Sequence, residues 1–153
     1  EYIINKKIPK LESKFELNLF NTFRSYFNYN LYPLIYANNI DERGNFVELI
    51  REKSGGQFSY SITKPQKTRG NHFHTRKIER FSVLKGKALI EFRKYGSKKK
   101  YSFELDGETP SFVDMPVWFT HNIKNIGDSD LITSFWISEH YNANDSDTYY
   151  KNV

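Results

Sequence analysis

Near its N-terminus the chain carries apolar residues at the spacing of a helix. Five of them recur every four residues, with one more beside them: Leu11, Phe15, Leu19, Phe23 and Phe27, and Phe20. Residues at this spacing lie on one side of an α-helix, so the pattern predicts a helix over about residues 11–28. The letters NYNLYP then end the pattern. We expect the helix to pack its apolar side on the main domain rather than remain free for a partner protein.

Beyond residue 40 apolar and polar residues alternate, which is the period of a β-strand. Eight runs show it: NFVELIRE, QFSYSITK, IERFSVLKG, KALIEFRKY, KKYSFEL, PSFVDMP, THNIKNI and LITSFWISE. Glycines with Asp, Asn and Ser neighbours separate them, and no run here has helical spacing. The pattern predicts an N-terminal helical or linker segment, residues 1–36, and an all-β domain, residues 37–153, built as a sandwich, jelly roll or barrel.

Composition narrows the class of protein. The chain has 153 residues, enough for one domain with its own core, and its aromatic content of 17% can fill that core with few side chains. It contains no cysteine, which excludes disulfides and thiolate metal sites. Any metal must therefore be held by imidazole and carboxylate. No stretch reaches the length of a membrane span and no signal peptide is visible, so we expect a cytoplasmic protein without a membrane partner.

The net charge of +5 raises the question of nucleic acid. The basic residues are scattered, apart from a lysine triplet at residues 98–100 between two strand-like runs. A solvated turn explains that triplet, so no nucleic-acid partner is expected. A small anion such as a nucleotide diphosphate suits this charge equally well.

The segment RGNHFHTRKIERFSVLKG carries the most unusual polar residues of the chain. His72 and His74 are two apart, so on a strand they point to the same side. In the next strand Glu79 shares a side with the apolar Phe81 and Val83, which predicts that its carboxylate points into the barrel. If the two strands form a hairpin, two imidazoles and a carboxylate converge. A buried carboxylate without a counter-charge is costly, and a divalent cation removes that cost.

His121 is a fourth ligand candidate because it follows the turn at Pro116 and shares its strand side with Ile123. A buried histidine is often an ordinary core residue, but three of the four histidines of this chain fall on strands of one small domain. We therefore predict a metal site and regard His140, beyond the last strand, as incidental. The predicted ligands are His72, His74, Glu79 and His121.

Two motifs resemble those of the cupin superfamily. His72-x-His74 followed by Glu79 and Gly86 resembles the first motif, with Gln66 where an upstream glycine is expected. The resemblance implies a double-stranded β-helix, the cupin jelly-roll barrel, and places the usual metal ligands on the residues named above.

The second cupin motif is matched by Pro116, His121 and Asn125, with Trp118 in place of its second glycine. We expect the indole of Trp118 at the mouth of the pocket.

Further segments are similar to the sugar-nucleotide branch of cupins, which includes the dTDP-4-dehydrorhamnose 3,5-epimerases. These are DERGNFVEL at 41–49 and FSYSITKPQKTRGNHFH at 58–74. The segments VDMP, THNIKNIG, ISEHYNANDSDTYY and NLFNTFRSYF most resemble the C-terminal cupin domains of bifunctional capsular-polysaccharide epimerase/reductases, on the pathway to UDP-N-acetyl-L-fucosamine.

That resemblance implies zinc-dependent C3 epimerisation of a UDP-4-keto-6-deoxy-N-acetylhexosamine in a bacterial homodimer. Fe²⁺ or Mn²⁺ suits the same ligands. It also implies an N-terminal short-chain reductase domain that uses NADPH, which this chain lacks. No G-x-G-x-x-G heads a βαβ unit, so we expect no NAD(P) site on this domain.

The resemblance leaves the catalytic base open. In the metal-free rhamnose epimerases the histidine of Arg-Gly-x-His is the base, and it corresponds to His72. A histidine cannot be a ligand and a free base at one nitrogen. If a metal is bound, Tyr60, Glu91 and Tyr141 are the candidates, unranked.

Six residues are predicted to bind the substrate: Arg43, Phe46, Glu48, Lys64, Arg69 and Trp118. Arg43 and Arg69 are expected at the diphosphate, because a guanidinium donates in a fork that matches phosphate oxygens. Phe46 and Glu48 follow from the resemblance of DERGNFVEL to a nucleotide-binding segment, and Lys64 lies near Arg69 in sequence.

Three other functions use parts of the same pattern. The domain could bind sugar nucleotide and dimerise without catalysis, but a full ligand set argues against that. An iron-dependent dioxygenase uses the same ligands, but the sugar-nucleotide motifs argue against it. The third is a metal-free epimerase or isomerase.

Overall fold

The computed structural model of the protein describes residues 2, 8–41, 44–47, 49 and 55–153. Within this part of the chain, helix α1 spans Lys14–Ser25 and a 3₁₀ turn follows at Tyr29–Leu31. The strands are β1 (Leu34–Ile35), β2 (Asn38–Asp41), β3 (Gly44–Val47), β4 (Gln57–Thr63), β5 (Thr68–Phe73), β6 (Glu79–Lys85), β7 (Lys87–Lys94), β8 (Lys100–Asp106), β9 (Ser111–Met115), β10 (Phe119–Asn125), β11 (Leu131–Ile137) and β12 (Tyr149–Tyr150).

The strands form two five-stranded sheets and a separate hairpin. One sheet has the order β1-β9-β6-β11-β4, the other has the order β12-β5-β10-β7-β8, and β2 pairs with β3. Every pairing is antiparallel. Strands that follow each other in sequence therefore alternate between sheets at several points, as a jelly roll requires. The predicted all-β jelly-roll barrel with an N-terminal helical segment is confirmed.

The alternation of the sequence decides which side of each strand faces the core. In β7, Ala88, Ile90 and Phe92 are fully buried, whereas Leu89 and Glu91 between them are half-buried. Phe92 packs edge-on against Phe119 of β10, with ring centroids 5.5 Å apart. Apolar side chains from both sheets meet in this way and form the larger core cluster.

Helix α1 begins at a capping box. The Ser13 side chain accepts a hydrogen bond from the backbone N–H of Glu16 at 3.2 Å, and the Glu16 carboxylate accepts one from the Ser13 N–H at 3.0 Å. These bonds satisfy N–H groups that have no partner within the helix. At its other end the helix stops at Ser25, about three residues earlier than predicted.

The four-residue stripe does not form the buried side of α1, so that prediction was wrong. Phe15 is 73% exposed and Leu19 58% exposed, while the buried residues of the helix are Phe20, Asn21 and Arg24. Each four-residue step advances about 400° around a helix with 3.6 residues per turn, so the stripe drifts by about 160° over its four steps. It cannot stay on one packed side.

Polar contacts attach α1 to the barrel. Arg24 donates to the carbonyl of Met115 at 2.5 Å, and the Asn21 amide donates to the carbonyl of Arg76 at 3.1 Å. The helix is therefore joined to the end of β9 and to the turn that precedes β6.

The segment after α1 contributes to the barrel itself. Tyr29 and Tyr32 belong to the core cluster, and Leu34–Ile35 pairs with β9. The division of the chain between residues 36 and 37 stays a prediction. Among the described residues, no helix has both the length and the apolar character needed to cross a membrane.

Candidate metal centre

The four predicted ligands come together inside the barrel. In the register of β5 with β10, His72 lies opposite His121, and Glu79 begins β6 in the other sheet. His74 follows the end of β5. One ligand atom from each of the four residues lies within 4.8 Å of the others. His74, Glu79 and His121 are buried, whereas His72 is partly open to solvent.

A close approach of two strands makes this register possible. Gly70 of β5 has φ +96°, and a Cβ at this position would lie 2.8 Å from the carbonyl oxygen of His121 and 3.1 Å from the Cα of Asn122. A residue with a side chain would therefore push β5 away from β10 at the point where His72 faces His121. Glycine meets both requirements here, the positive φ and the narrow gap.

Backbone carbonyls set the orientation of two imidazoles. Nδ1 of His74 lies 2.5 Å from the carbonyl oxygen of Asp147, and Nδ1 of His121 lies 3.1 Å from that of Phe119. A carbonyl oxygen only accepts hydrogen bonds, so each Nδ1 carries its proton and each Nε2 is the atom that can take a cation. Metal-binding histidines are commonly held by such a contact at the other ring nitrogen.

The atoms that face each other at the centre have no hydrogen-bond partner. Oε2 of Glu79 lies 3.0 Å from Nε2 of His74 and 3.2 Å from Nε2 of His121. All three atoms are fully buried, and none makes a hydrogen bond of acceptable geometry. They are close enough to interact electrostatically but are not oriented for hydrogen bonding. Buried polar atoms are costly without a partner, and one divalent cation contacts all three at once.

The electrostatics of the group also favour positive charge. Burial alone would raise the pKa of Glu79, but the imidazoles of His121 and His74 outweigh it and hold the pKa below its ordinary value. Glu79 is therefore a carboxylate. Burial would lower the pKa of His74, yet the nearby Glu79 raises it overall. A cation, whether a proton or a metal ion, is thus stabilised at Nε2 of His74.

His72 behaves differently from the other two histidines. Burial is the main cause, and the neighbouring His121 a further one, that lowers the pKa of His72 to about 4. Its imidazole is therefore neutral at neutral pH, which is the form that binds a metal or accepts a proton. Three neutral-capable imidazoles and one carboxylate are a set that suits Zn²⁺, Fe²⁺ or Mn²⁺.

The structure does not bring two of the proposed bases to this group. The inner row of the first sheet contains Glu79, Ile137 and Gln57, which are paired across β6, β11 and β4. Tyr60 is an odd number of positions from Gln57 on β4, so it points to the outer side, where it is 68% exposed.

Glu91 lies on the outer side of the other sheet. Its neighbours on β7, Ile90 and Phe92, fill the core, while the Glu91 carboxylate pairs with Lys100 at 3.2 Å. Alternation along the strand places it away from the ligands. Nothing in the residue types of these runs distinguishes the inner from the outer polar positions.

Tyr141 is nearer to the centre than the other two candidates. It lies in the connection between β11 and β12, and its backbone N–H donates to Gln57 at 3.1 Å. Its ring centroid is 5.9 Å from Nζ of Lys77. The side chain is exposed, and its role as base stays a prediction.

The substrate-binding predictions have mixed outcomes in position. Arg69 lies between the edge strands of the two sheets, where its guanidinium donates to the Thr63 hydroxyl at 2.9 Å and to the carbonyl of Ile62 at 3.0 Å. Lys64 pairs with Asp130 at 2.8 Å on the surface.

The other predicted substrate contacts are less well placed by the described residues. Arg43 and Glu48 lie outside them. Phe46 belongs to β3, of which the backbone alone is described. All three stay predictions.

Trp118 lies on the outer side of β5 rather than beside the ligands. Its ring stacks on Phe73, with centroids 5.6 Å apart, and Phe73 points away from the side that carries His72. The backbone N–H of Trp118 donates to the carbonyl of His74 at 2.7 Å. The residue therefore contacts the ligand segment through its backbone, and substrate contact by its indole stays a prediction.

Gln66 and Trp118 explain why the two motifs carry glycine at these positions. Gln66 has φ +63° and Trp118 has φ +62°, so both adopt the left-handed backbone that glycine accepts without strain. The turns are kept although the glycines are replaced.

Asp147 was not identified from the sequence. Its carbonyl oxygen contacts His74 and its carboxylate binds the turn that leads to Glu79. The two segments are separated by about seventy residues, so neither periodicity nor motif spacing connects them.

Two antiparallel sheets with three imidazoles and one carboxylate converging inside the barrel define a cupin domain. The chain belongs to the polysaccharide biosynthesis C-terminal domain family, whose model matches residues 39–149.

Two relatives are similar to this chain over most of its length. UDP-2-acetamido-2,6-beta-L-arabino-hexul-4-ose reductase of Pseudomonas aeruginosa is 33% identical over 131 residues, which is 86% of this chain. The crystal structure of the capsular polysaccharide assembling protein CapF from Staphylococcus aureus is 38% identical, covers 99% of this chain and has a TM-score of 0.64. This chain spans only 35% and 41% of the lengths of those two proteins.

The fold is shared more widely. The dTDP-4-dehydrorhamnose 3,5-epimerase from Sulfolobus tokodaii is 20% identical and has a TM-score of 0.60, with 70% of this chain and 69% of that chain covered. These findings confirm the predicted cupin fold and the predicted membership of the sugar-nucleotide branch.

Proposed function

We propose that this chain is a metal-dependent epimerase domain that inverts C3 of a UDP-4-keto-6-deoxy-N-acetylhexosamine in the synthesis of capsular polysaccharide precursors. The observation that carries the proposal is the convergence of three buried ligand atoms without hydrogen-bond partners, on His74, Glu79 and His121. His72 completes the set from the solvent side.

The chemistry follows from the position of the ketone. The hydrogen at C3 is adjacent to the C4 carbonyl, and its loss places negative charge on the C4 oxygen. A divalent ion held by these four residues supplies a Lewis acid for that charge. A base takes the C3 proton, and return of a proton to the opposite side of C3 inverts the centre.

The residues around the ligands limit access of water. Phe81 packs edge-on against His121 with centroids 6.0 Å apart, and its other neighbour is Phe135 at 5.6 Å. This apolar wall lies on the inner side of the first sheet. A water-poor site strengthens the interaction of a cation with developing negative charge.

Polar residues lead from the solvent to the ligands. In β4 the inner positions carry Gln57, Ser59 and Ser61, which are half-buried, and Arg69 lies across from them on β5. Within the described residues the Arg69 side chain uses two of its five N–H donors. The remaining donors suit a diphosphate, and the hydroxyls and amide suit a sugar.

The names of the relatives support the substrate class. One is a reductase of a UDP-linked 2-acetamido-hexul-4-ose and another assembles capsular polysaccharide. Since this chain spans less than half of either protein, we propose that it works with a short-chain reductase domain or subunit, and as a homodimer. The reductase would then act on the product of C3 inversion, because both steps use the C4 ketone.

Exchange of the C3 hydrogen in deuterated water tests the proposal. The protein is freed of metal with a chelator, incubated with a UDP-4-keto-6-deoxy sugar, and the C3–H signal is followed by NMR before and after Zn²⁺ is restored. The expected result is loss of the signal with metal and its persistence without. Exchange at the same rate in both samples favours a metal-free mechanism with His72 as base. No exchange in either sample contradicts catalysis and leaves a binding domain.

A further inference from the structure

The last nine residues of the chain run along the ligand segment. Tyr149 and Tyr150 pair with Phe73 and His72 of β5, and the N–H of Lys151 donates to a β5 carbonyl at 2.8 Å. Tyr149 also stacks on Phe73, with centroids 5.2 Å apart. The C-terminal segment is therefore the outer neighbour of the strand that carries two ligands.

One residue of this segment binds the turn between the ligands. The Asp147 carboxylate accepts hydrogen bonds from the backbone N–H groups of Thr75, Arg76 and Lys77 at 3.0–3.2 Å, and from the Thr75 hydroxyl at 2.6 Å. Three consecutive N–H groups directed at one carboxylate fix the path of the chain from His74 to Glu79. Bonds of this kind to a charged acceptor are stronger than neutral ones.

The same residue also orients one ligand directly. The carbonyl oxygen of Asp147 lies 2.5 Å from Nδ1 of His74, so its backbone holds the imidazole while its side chain holds the turn. Asp147 is 3% exposed and has φ +43°, a left-handed conformation that aspartate tolerates better than most residues. Both contacts depend on this backbone geometry.

We propose that Asp147 is a positioning residue of the metal centre. It acts through His74 and the 75–77 turn rather than on the metal or the substrate, and this role rests on the metal-binding function proposed above. The alternative is that Asp147 serves stability alone and fastens the C-terminal segment without effect on the ligands.

Three variants separate these roles. Asp147→Gly removes the carboxylate and keeps a backbone that accepts positive φ. Asp147→Asn keeps one acceptor oxygen of the same shape. Asp145→Asn is the matched control, because Asp145 lies in the same segment, is exposed, and pairs with Arg76 at 2.9 Å without contacting the turn backbone through its side chain.

Two readouts of the folded, metal-free proteins decide the question. Zn²⁺ affinity is measured by competition with a chromophoric chelator, and the visible absorption bands of the Co²⁺-loaded protein report the geometry of the ligands. Loss of a residue that supports a metal ligand commonly lowers affinity about 10- to 100-fold. We expect this loss and altered Co²⁺ bands for Asp147→Gly, an intermediate loss for Asp147→Asn, and less than about a twofold change for Asp145→Asn.

The outcomes are distinct. If Asp147→Gly melts at a lower temperature but binds Zn²⁺ like the unaltered chain and gives the same Co²⁺ bands, the positioning role is overturned. If Asp147→Gly does not fold, Asp147→Asn decides: reduced affinity supports the role, and unchanged affinity and bands overturn it. If the unaltered chain binds neither ion, the proposed metal-dependent function fails, and the role of Asp147 falls with it.

Discussion

Gly70 provides a quantitative test of how the barrel brings the histidines together. The change Gly70→Ala places a methyl group 2.8 Å from the carbonyl oxygen of His121, in a residue with φ +96°. Gly96 is the matched control, because it also has a positive φ of +77° but has no heavy atom within 4 Å of the position of an added Cβ. The two variants share the backbone strain and differ in the close approach.

The magnitudes follow from these two terms. Left-handed geometry costs an alanine about 1–2 kcal/mol, and the stiffer unfolded chain returns about 0.4–1 kcal/mol of that. Gly96→Ala is therefore expected to lower the free energy of unfolding by about 1 kcal/mol. Gly70→Ala adds an overpacking cost of about 1–3 kcal/mol, which gives about 2–4 kcal/mol in total.

Urea unfolding followed by circular dichroism measures both variants. Gly70→Ala should also weaken Zn²⁺ binding, because β5 carries His72 and must move away from His121, whereas Gly96→Ala should leave the affinity unchanged. Equal losses of stability in the two variants, or unchanged Zn²⁺ affinity in Gly70→Ala, would refute the reasoning about the close approach.

Three other predictions concern strain, a buried ion pair and metal-linked stability. Gln66→Gly should raise the free energy of unfolding by up to about 1 kcal/mol in a urea titration, because glycine accepts φ +63° without strain; a loss of stability would contradict this. Asp114→Ala should lower it by about 3 kcal/mol or more, since it removes both hydrogen bonds from buried Arg80 at 2.8 and 3.0 Å, whereas Asp130→Ala, at an exposed pair, should cost less than about 1 kcal/mol; similar losses would refute the distinction. Zn²⁺ at 100 times its dissociation constant should stabilise the metal-free protein by about 2.7 kcal/mol, a rise in melting temperature of roughly 5–11 °C, and no rise would count against a folded-state metal site.

The strands and the ligands were predictable because their signals are local. Alternation in β6 places Glu79 on the side of Phe81 and Val83, so burial of a carboxylate could be expected from three positions in one run. The pair His72 and His74 follows the same rule. Convergence of the two runs needed only the assumption that consecutive strands face each other inside one barrel.

The helix shows where a periodic pattern fails. A stripe with four-residue spacing looks like one side of a helix over two turns but drifts around it over five. The side that packs is set by the polar contacts of Asn21 and Arg24 with the barrel, and sequence spacing does not reveal those contacts.

Long-range contacts account for the other difference. Asp147 is about seventy residues from the turn it binds, in a segment with no strand-like run, and its role depends on a left-handed backbone. Tyr60 and Glu91 illustrate the reverse case. Their residue types suit proton transfer, but the register of β4 and β7 points them outward.

The central claim is that this group of residues holds one divalent ion. Calorimetric titration of the metal-free chain with Zn²⁺ tests it most directly, with Glu79→Gln as the test variant and Glu91→Gln as a control that makes the same chemical change on the outer side of the barrel. We predict one Zn²⁺ bound per chain in the unaltered protein and in Glu91→Gln, and binding that is greatly weakened in Glu79→Gln. Absence of saturable binding, or equal binding in both variants, would contradict the account.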